Sequence, residues 1–319
     1  MERFVINGGK SLSGTVVPSG NKNEILPILA ATLLSEEKII LKNVPKIRDV
    51  EVMIEIMKDI GSNIEWIDDK TLYVLNKKIS KYELSKQLCQ RIRASILFVG
   101  PMVSKFKKVI LPPPGGDVIG RRRVDTHFLG LEKLGAKVEL SDVFNIECNE
   151  LIGREIFLDE PSVTGTENII MAAVLAKGVT IIRNGAKEPH VVNLTKFLSS
   201  IGARIEGIGG STLYITGVER LYGGEWTIST DYLEVGSFIG LAAITNGEIR
   251  IKDCKKEDMY MILHNFERLG VYVEWDINDI VVKKNQPLVI KDDFGGAVPK
   301  IDDGPWPHFP TDLMSILIT

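Results

Sequence analysis

The chain has 319 residues, 44% hydrophobic and 25% charged, enough to bury two cores, and no apolar run reaches the roughly 18 residues of a membrane span. Its 39 Lys and Arg against 42 Asp and Glu leave a net charge of −3, which excludes a global basic field for nucleic acid or anionic membrane, so that any basic site must be local. Cys89, Cys148 and Cys254 lie far apart with no CxxC pattern, against a disulfide frame or a zinc site, and the first residues lack a secretory signal, so a cytoplasmic protein is expected.

In chain order, the first element is a helix opening at Asn21, with Glu24 three residues on and the pair Ala30-Ala31 inside it. A β-branched strand, Lys38 to Leu41, follows, then apolar residues at helical spacing (Val50, Met53, Met57, Ile60), a glycine stop at Gly61 and an alternating strand. The same sequence of elements returns. The stops Gly61, Gly135, Gly202 and Gly270 are 74, 67 and 68 residues apart, each where a helix end needs a left-handed residue. Ala172-Ala173 and Ala242-Ala243 repeat the small pair, the strands at Val179 to Ile182 and Glu248 to Ile251 repeat the first, and Met259, Ile262, Phe266 and Leu269 repeat the second helix. The pairs Asn21 with Glu24, Thr164 with Glu167 and Asp231 with Glu234 read as capping boxes at helix starts. A fifth start appears at Pro310-Thr311-Asp312-Leu313, where Thr311 or Asp312 is expected to cap the apolar run Leu313 to Ile318. The repeat is then broken off at Thr319, which reads as a truncated chain.

The repeat has one long unit. Ala94 to Gly135 spans 41 residues where Ala173 to Gly202 spans 29, and the surplus holds Pro112-Pro113-Pro114-Gly115-Gly116-Asp117-Val118-Ile119-Gly120-Arg121-Arg122-Arg123. Prolines that stiffen, glycines that free the backbone and three arginines make this a candidate anion-binding loop, with a solvated turn as the alternative. Lys22 and Asn23 stand at the mouth of the first repeated helix, where the helix dipole favours an anion. Simple capping by Asn21 or Asn23 with a solvated Lys22 explains the same residues. Asp231, Glu234 and Asp312 are open to the same capping explanation. His127, His190, His264 and His308 show no paired spacing and read as structural or surface residues.

Over the whole 319 residues the chain resembles the UDP-N-acetylglucosamine 1-carboxyvinyltransferases, enolpyruvyl transferases of early peptidoglycan synthesis. The resemblance rests on Ser19-Gly20-Asn21-Lys22-Asn23, Arg91-Ile92-Arg93-Ala94-Ser95, the Pro-Gly-Gly loop running into Val124-Asp125-x-His127, Pro161-Ser162-Val163, Glu188-Pro189 and Phe309-Pro310-Thr311-Asp312. It implies an inside-out α/β barrel fold of repeated βαβαββ units in two domains with a cleft between them. Residues 21–230 would form a three-unit domain carrying the Pro-Gly-Gly-Asp loop, and 1–20 with 231–319 a second domain, incomplete at its C-terminal end.

The implied reaction transfers the enolpyruvyl group of phosphoenolpyruvate to the 3′-hydroxyl of UDP-N-acetylglucosamine with release of phosphate, and needs no metal or organic cofactor. Carried over by motif, Lys22 and Arg122 bind phosphoenolpyruvate, Asn23 positions the sugar and Arg93 lies toward the nucleotide or phosphate. Asp125, Ser162 and Val163 meet the uridine diphosphate, and Asp312 acts as base or orients the hydroxyl. Glu160 lies where some members carry a basic residue. Asp117 stands where a loop cysteine is common, so the epoxide fosfomycin is not expected to inactivate this protein covalently. As an acid, Asp117 would need burial to counter its ordinary pKa near 3.9 and the neighbouring arginines. The family's further arginines lie beyond residue 319, so little phosphate release is expected from this polypeptide alone. The alternatives are a catalytically silent UDP-sugar-binding paralogue and the related transferase acting on shikimate 3-phosphate.

Overall fold

The computed structural model describes residues 3–116 and 123–319. The chain divides into two compact units, Gly20–Ser229 and a second made of Met1–Ser19 with Thr230–Thr319.

Within Gly20–Ser229 the helices are inside. Helix Lys22–Ala31 is buried continuously from Glu24 to Ala31, helix Val99–Phe106 from Val99 to Ser104, and helix Val163–Ala173 from Gly165 to Ala173. A helix with one apolar stripe sits at a surface; one buried on every side must lie at the centre. These three pack on one another, directly or through the 3-10 segment Arg93–Phe98 that leads into Val99–Phe106. Close approach is possible because a side chain at Gly100 would run into the backbone carbonyl of Asn168 on the facing helix. Helices Arg48–Ile60, Asp125–Lys133 and Pro189–Ser200 form the second member of each repeat.

The sheets lie outside these helices. One runs Gly224–Thr227, Ile39–Lys42, Thr71–Leu75, Asn63–Asp68 in spatial order, and another Glu155–Phe157, Val179–Arg183, Thr212–Thr216, Arg204–Glu206. A three-stranded sheet orders Lys108–Leu111, Phe144–Glu147 and Lys137–Leu140. Each four-stranded sheet begins with one parallel pair, Gly224 opposite Ile39 or Glu155 opposite Ile181, and continues antiparallel. Strand Thr71–Leu75 buries Leu72 and Val74 and leaves the alternate residues partly exposed, as expected of a sheet with one face on the core. Helices within and sheets without make this an inside-out α/β fold.

The other unit repeats the pattern once. Its sheet runs Ser13–Val16, Glu248–Ile251, Asp279–Val282, Val273–Asp276, with Ser13 parallel to Glu248 and the rest antiparallel. Helices Tyr232–Ile244 and Lys256–Arg268 pack there around Val235, Ile239, Ile262 and Phe266.

The helix stops are as read from the sequence: Gly61, Gly135, Gly202 and Gly270 all have positive φ, and Gly61, at +113°, ends helix Arg48–Ile60. The capping boxes are not. Asn21 Oδ1 does accept the Glu24 N–H at 3.1 Å, but the Glu24 carboxylate turns away from its own helix start. It accepts instead from Asn193 Nδ2 (2.7 Å), Trp226 Nε1 (3.0 Å) and the Ser229 N–H (3.2 Å). In the third repeat Ser162, not Thr164, is the cap, with its Oγ accepting the Gly165 N–H at 3.2 Å. Asp231 caps through the Leu233 N–H, while Glu234 accepts from the Ser19 N–H at 2.7 Å and the Ser19 hydroxyl. A carboxylate one turn into a buried helix finds long-range donors closer than its own first turn, which is already satisfied by the cap. Thr311–Leu313 is a 3-10 turn opened by Pro310 and followed by helix Met314–Ile318, so neither Thr311 nor Asp312 caps it; the Thr311 hydroxyl donates to Asp303 at 2.8 Å.

Candidate functional site

The candidate residues of the Gly20–Ser229 unit that the structure describes stand at the beginnings of helical segments. Lys22 is the first residue of helix Lys22–Ala31, and its Nζ is 3.8 Å from Asp49 Oδ2 with the side chain half exposed. Asn23 follows it, half-buried. Arg93 opens the 3-10 segment Arg93–Phe98, Asp125 opens helix Asp125–Lys133, and Ser162 and Val163 are the cap and first residue of helix Val163–Ala173. The N–H groups of a first turn have no intrahelical acceptor and carry the positive end of the helix dipole, so this placement suits anionic ligands. Asp312 lies exposed in the 3-10 turn of the other unit. Asp117, Arg121 and Arg122 fall outside the described residues.

Arg93, Asp125 and the turn before Ser162 are brought together, and the residue that joins them is Arg123. Its Nε donates to Asp125 Oδ2 at 3.0 Å and its Nη2 to Asp159 Oδ2 at 2.9 Å, with Nη1 3.8 Å from Glu160 Oε2. Its carbonyl accepts from Arg93 Nη2 at 3.2 Å. The Thr126 hydroxyl reaches the same carboxylates, 3.2 Å from Glu160 Oε1 and 3.4 Å from Asp159 Oδ1. The hydrogen bond from Arg123 holds the Asp159 carboxyl below its ordinary range, and bonds to Asp125 and Asp159 raise the guanidinium above its own. Before the loop leaves the described residues, the Gly115 N–H donates to the Cys89 carbonyl at 3.1 Å, and a side chain at Gly115 would run into the carbonyl of Gln90. The glycines therefore let the loop lie against the segment that leads to Arg93.

Beneath these groups lie buried titratable side chains. His127 is 1% exposed, with Nδ1 2.8 Å from Asn168 Nδ2 and Nε2 3.2 Å from the Thr164 hydroxyl. Burial, helped by the charge of Arg93, pushes its pKa down to about 3. His190 is buried too, its pKa lowered to about 4, whereas His264 and His308 are exposed. Burial, and then the neighbouring Glu188, push the Glu167 carboxyl well above the ordinary carboxylate range. The histidines thus fill the structural and surface roles expected of them. Sequence reasoning missed Arg123 as a junction and Asn168 as a buried hub; apart from Asp125, two residues from Arg123, the partners are distant, with Asp159 36 residues from Arg123 and His127 41 from Asn168.

Among the described residues no helix is long and apolar enough to cross a membrane. A family model described as EPSP synthase (3-phosphoshikimate 1-carboxyvinyltransferase) matches residues 6–319. The UDP-N-acetylglucosamine 1-carboxyvinyltransferase of Bradyrhizobium diazoefficiens is 51% identical over 316 residues, covering 99% of this chain and 73% of that protein. The enzyme of the same name from Borreliella burgdorferi is 50% identical over 319 residues, covering 100% and 74%. The chain thus spans about three quarters of the length of these relatives. Among solved structures, the enolpyruvyl transferase NikO from Streptomyces tendae superposes with a TM-score of 0.77 at 21% identity, covering 87% of this chain and 67% of that one. The EPSP synthase of Acinetobacter baumannii gives 0.69 at 16% identity, covering 86% and 65%. At those identities the two structures speak for the fold, and the sequence relatives for the branch. The chain belongs to the enolpyruvyl transferase family, on the branch of the UDP-N-acetylglucosamine 1-carboxyvinyltransferases.

Proposed function

We propose that the chain binds UDP-N-acetylglucosamine and phosphoenolpyruvate and transfers the enolpyruvyl group to the 3′-hydroxyl of the sugar. The observation that supports this reading is the placement of Lys22, Arg93, Asp125, Ser162 and Val163 at the starts of helical segments of one unit, positions that favour anionic ligands. In this assignment Lys22 and Arg122 hold the phosphate and carboxylate of phosphoenolpyruvate, Asn23 orients the sugar, and Arg93 lies toward the nucleotide. Asp125, Ser162 and Val163 contact the uridine diphosphate.

The chemistry is addition followed by elimination. The sugar hydroxyl attacks C2 while its proton passes to a base, for which Asp312 is assigned, and C3 takes a proton from an acid, for which Asp117 is assigned. C3 then gives up a proton and the C2–O bond to phosphate breaks, so that the vinyl group is restored and inorganic phosphate leaves. Cations around the phosphate stabilise the leaving group, and their worth depends on being fixed before the reaction begins.

The test is calorimetric titration with UDP-N-acetylglucosamine and with shikimate 3-phosphate, and proton NMR of the chain with both substrates in deuterated water. Expected are saturable binding of the nucleotide sugar alone and vinyl resonances of a product carrying deuterium at C3 that build up only slowly, in keeping with the little phosphate release expected of this polypeptide. Binding of shikimate 3-phosphate instead would sink the acceptor assignment, and absence of product resonances at high protein concentration would remove the catalytic half of the proposal.

A further inference from the structure

Arg123 is the third arginine of the loop, and the motifs that assign the other site residues give it no role. In the structure it nevertheless bonds to Arg93, to Asp125 and to the turn leading into Ser162. Its guanidinium faces three carboxylates, Asp125, Asp159 and Glu160, all roughly half exposed. Without it these carboxylates would meet a diphosphate with like charge.

We infer that Arg123 is a positioning residue of the nucleotide subsite, holding Arg93, Asp125 and the 159–163 turn in register and cancelling carboxylate charge that would otherwise repel the diphosphate. The inference rests on the assignment of UDP-N-acetylglucosamine as ligand. A forked donor is needed for this role, since Nε and Nη2 are engaged by carboxylates of two segments at once, and an ammonium cannot reproduce that geometry. A purely stabilising role is poorly served by the same bonds, because exposed ion pairs contribute little to folding.

The experiment is calorimetric titration of UDP-N-acetylglucosamine, and separately of uncharged uridine, into the full 319-residue chain and three variants: Arg123→Ala, Arg123→Lys, and Arg123→Ala combined with Glu160→Lys. Arg123→Ala is expected to weaken the nucleotide sugar roughly 10- to 100-fold, the scale of an uncompensated like-charge contact, and uridine by less than about threefold. Its Tm should stay within about 2 °C of wild type. Arg123→Lys recovers part of the loss, and the double variant, with a cation restored on the facing turn, recovers most of it. Unaltered binding by Arg123→Ala overturns the inference, as does an equal loss for uridine and nucleotide sugar accompanied by a Tm drop beyond about 8 °C, which is the signature of a folding role. A wild-type chain that fails to bind the nucleotide sugar removes the ligand assignment and this inference with it, whereas normal wild-type binding with an indifferent Arg123→Ala removes the inference alone.

Discussion

Asn168 Nδ2 donates to His127 Nδ1 at 2.8 Å, and this bond sets the state of the histidine. An amide nitrogen only donates, so Nδ1 accepts, the ring proton sits on Nε2, and Nε2 donates to the Thr164 hydroxyl at 3.2 Å. The amide itself is fixed by its other bonds: Oδ1 accepts the Gly100 N–H at 2.7 Å, and Nδ2 donates also to the Ile96 carbonyl at 2.9 Å. One buried side chain thus ties the segment of Arg93 to the helices of Asp125 and Ser162. Arg123 does the same for their exposed ends.

Replacing Asn168 with alanine strands the Gly100 N–H and His127 Nδ1 together, while the Ile96 carbonyl keeps the Val99 N–H. Each buried polar group left without a partner costs about 1–3 kcal/mol, so Asn168→Ala should lower the unfolding free energy by about 2–6 kcal/mol. Urea denaturation of wild type and variant at neutral pH measures it. A loss below about 1 kcal/mol would mean that the hub is not carrying these bonds.

Two glycines in the same unit separate backbone from side-chain collisions. A methyl at Gly100 would strike the Asn168 backbone carbonyl, which can move only with its helix, while one at Gly130 would strike the end of the Ile169 side chain, which can rotate. Gly100→Ala should therefore cost about 3 kcal/mol, at the upper end of overpacking changes, and Gly130→Ala about 1 kcal/mol. Chemical denaturation of both variants side by side gives the order; the reverse order would show that the two inner helices are less tightly held than the contact implies.

The repeat was legible because its signals are local: a helical period, a glycine stop and an alternating strand all fall within one stretch of chain. Two of the inner helices, Lys22–Ala31 and Val163–Ala173, were legible for the same reason, as apolar runs with Ala pairs, whereas Val99–Phe106 carries no such pair. What the sequence hid is set by distance. Glu24 reads as half of a capping box from its spacing to Asn21, yet its acceptors serve donors 169, 202 and 205 residues away. The candidate residues at helical starts followed from family motifs, whereas Arg123, within a run of three arginines, has nothing in its spacing to tell which carboxylates it meets.

Three buried groups predict how stability varies with pH. His127 and His190 have folded pKa values lowered to about 3 and about 4, so below their unfolded values near 6.5 the unfolded chain takes up protons that the fold refuses. Their stabilisation is present above pH 6.5 and is lost as pH falls, at up to about 1.4 kcal/mol per unit each. Glu167 acts in the opposite sense, because its raised pKa keeps a proton that the unfolded chain releases above the ordinary carboxyl value of 4.5. Between pH 6 and pH 5 the net loss should be about 1 kcal/mol, and Glu167→Gln should steepen it to about 2–3 kcal/mol. Unfolding free energies at pH 7, 6 and 5 test this; a slope unchanged by Glu167→Gln would show that the carboxyl is ionised in the fold.

Lys22 offers a separation of binding from folding. Its ion pair with Asp49 is at 3.8 Å between side chains 49% and 38% exposed, a geometry that adds little to stability. Lys22→Ala should therefore keep Tm within about 2 °C while weakening phosphoenolpyruvate at least about tenfold, the scale of a charge-assisted contact. Calorimetric titration of phosphoenolpyruvate in saturating UDP-N-acetylglucosamine measures the effect. Equal affinity in the variant would remove Lys22 from the anion site.

The last prediction concerns reactivity. An epoxide such as fosfomycin is opened by a thiolate, and Asp117 supplies none in the loop. The three cysteines elsewhere are poor substitutes: burial pushes the Cys89 and Cys254 thiols up to about 12 and raises Cys148 as well, although Lys107 beside it works in the other direction. At pH 7.5 the thiolate fraction at Cys89 or Cys254 is below about one in ten thousand, and neither sulfur is accessible. Prolonged incubation with fosfomycin, with and without UDP-N-acetylglucosamine, should leave the intact mass unchanged. Addition of one inhibitor mass mapped by peptide analysis to Asp117 would show that a carboxylate can open the epoxide in this loop, and would reassign Asp117 from acid to nucleophile. An adduct on Cys89 would instead mean that the segment beneath Gly115 opens far enough to ionise and expose a thiol that the structure keeps covered.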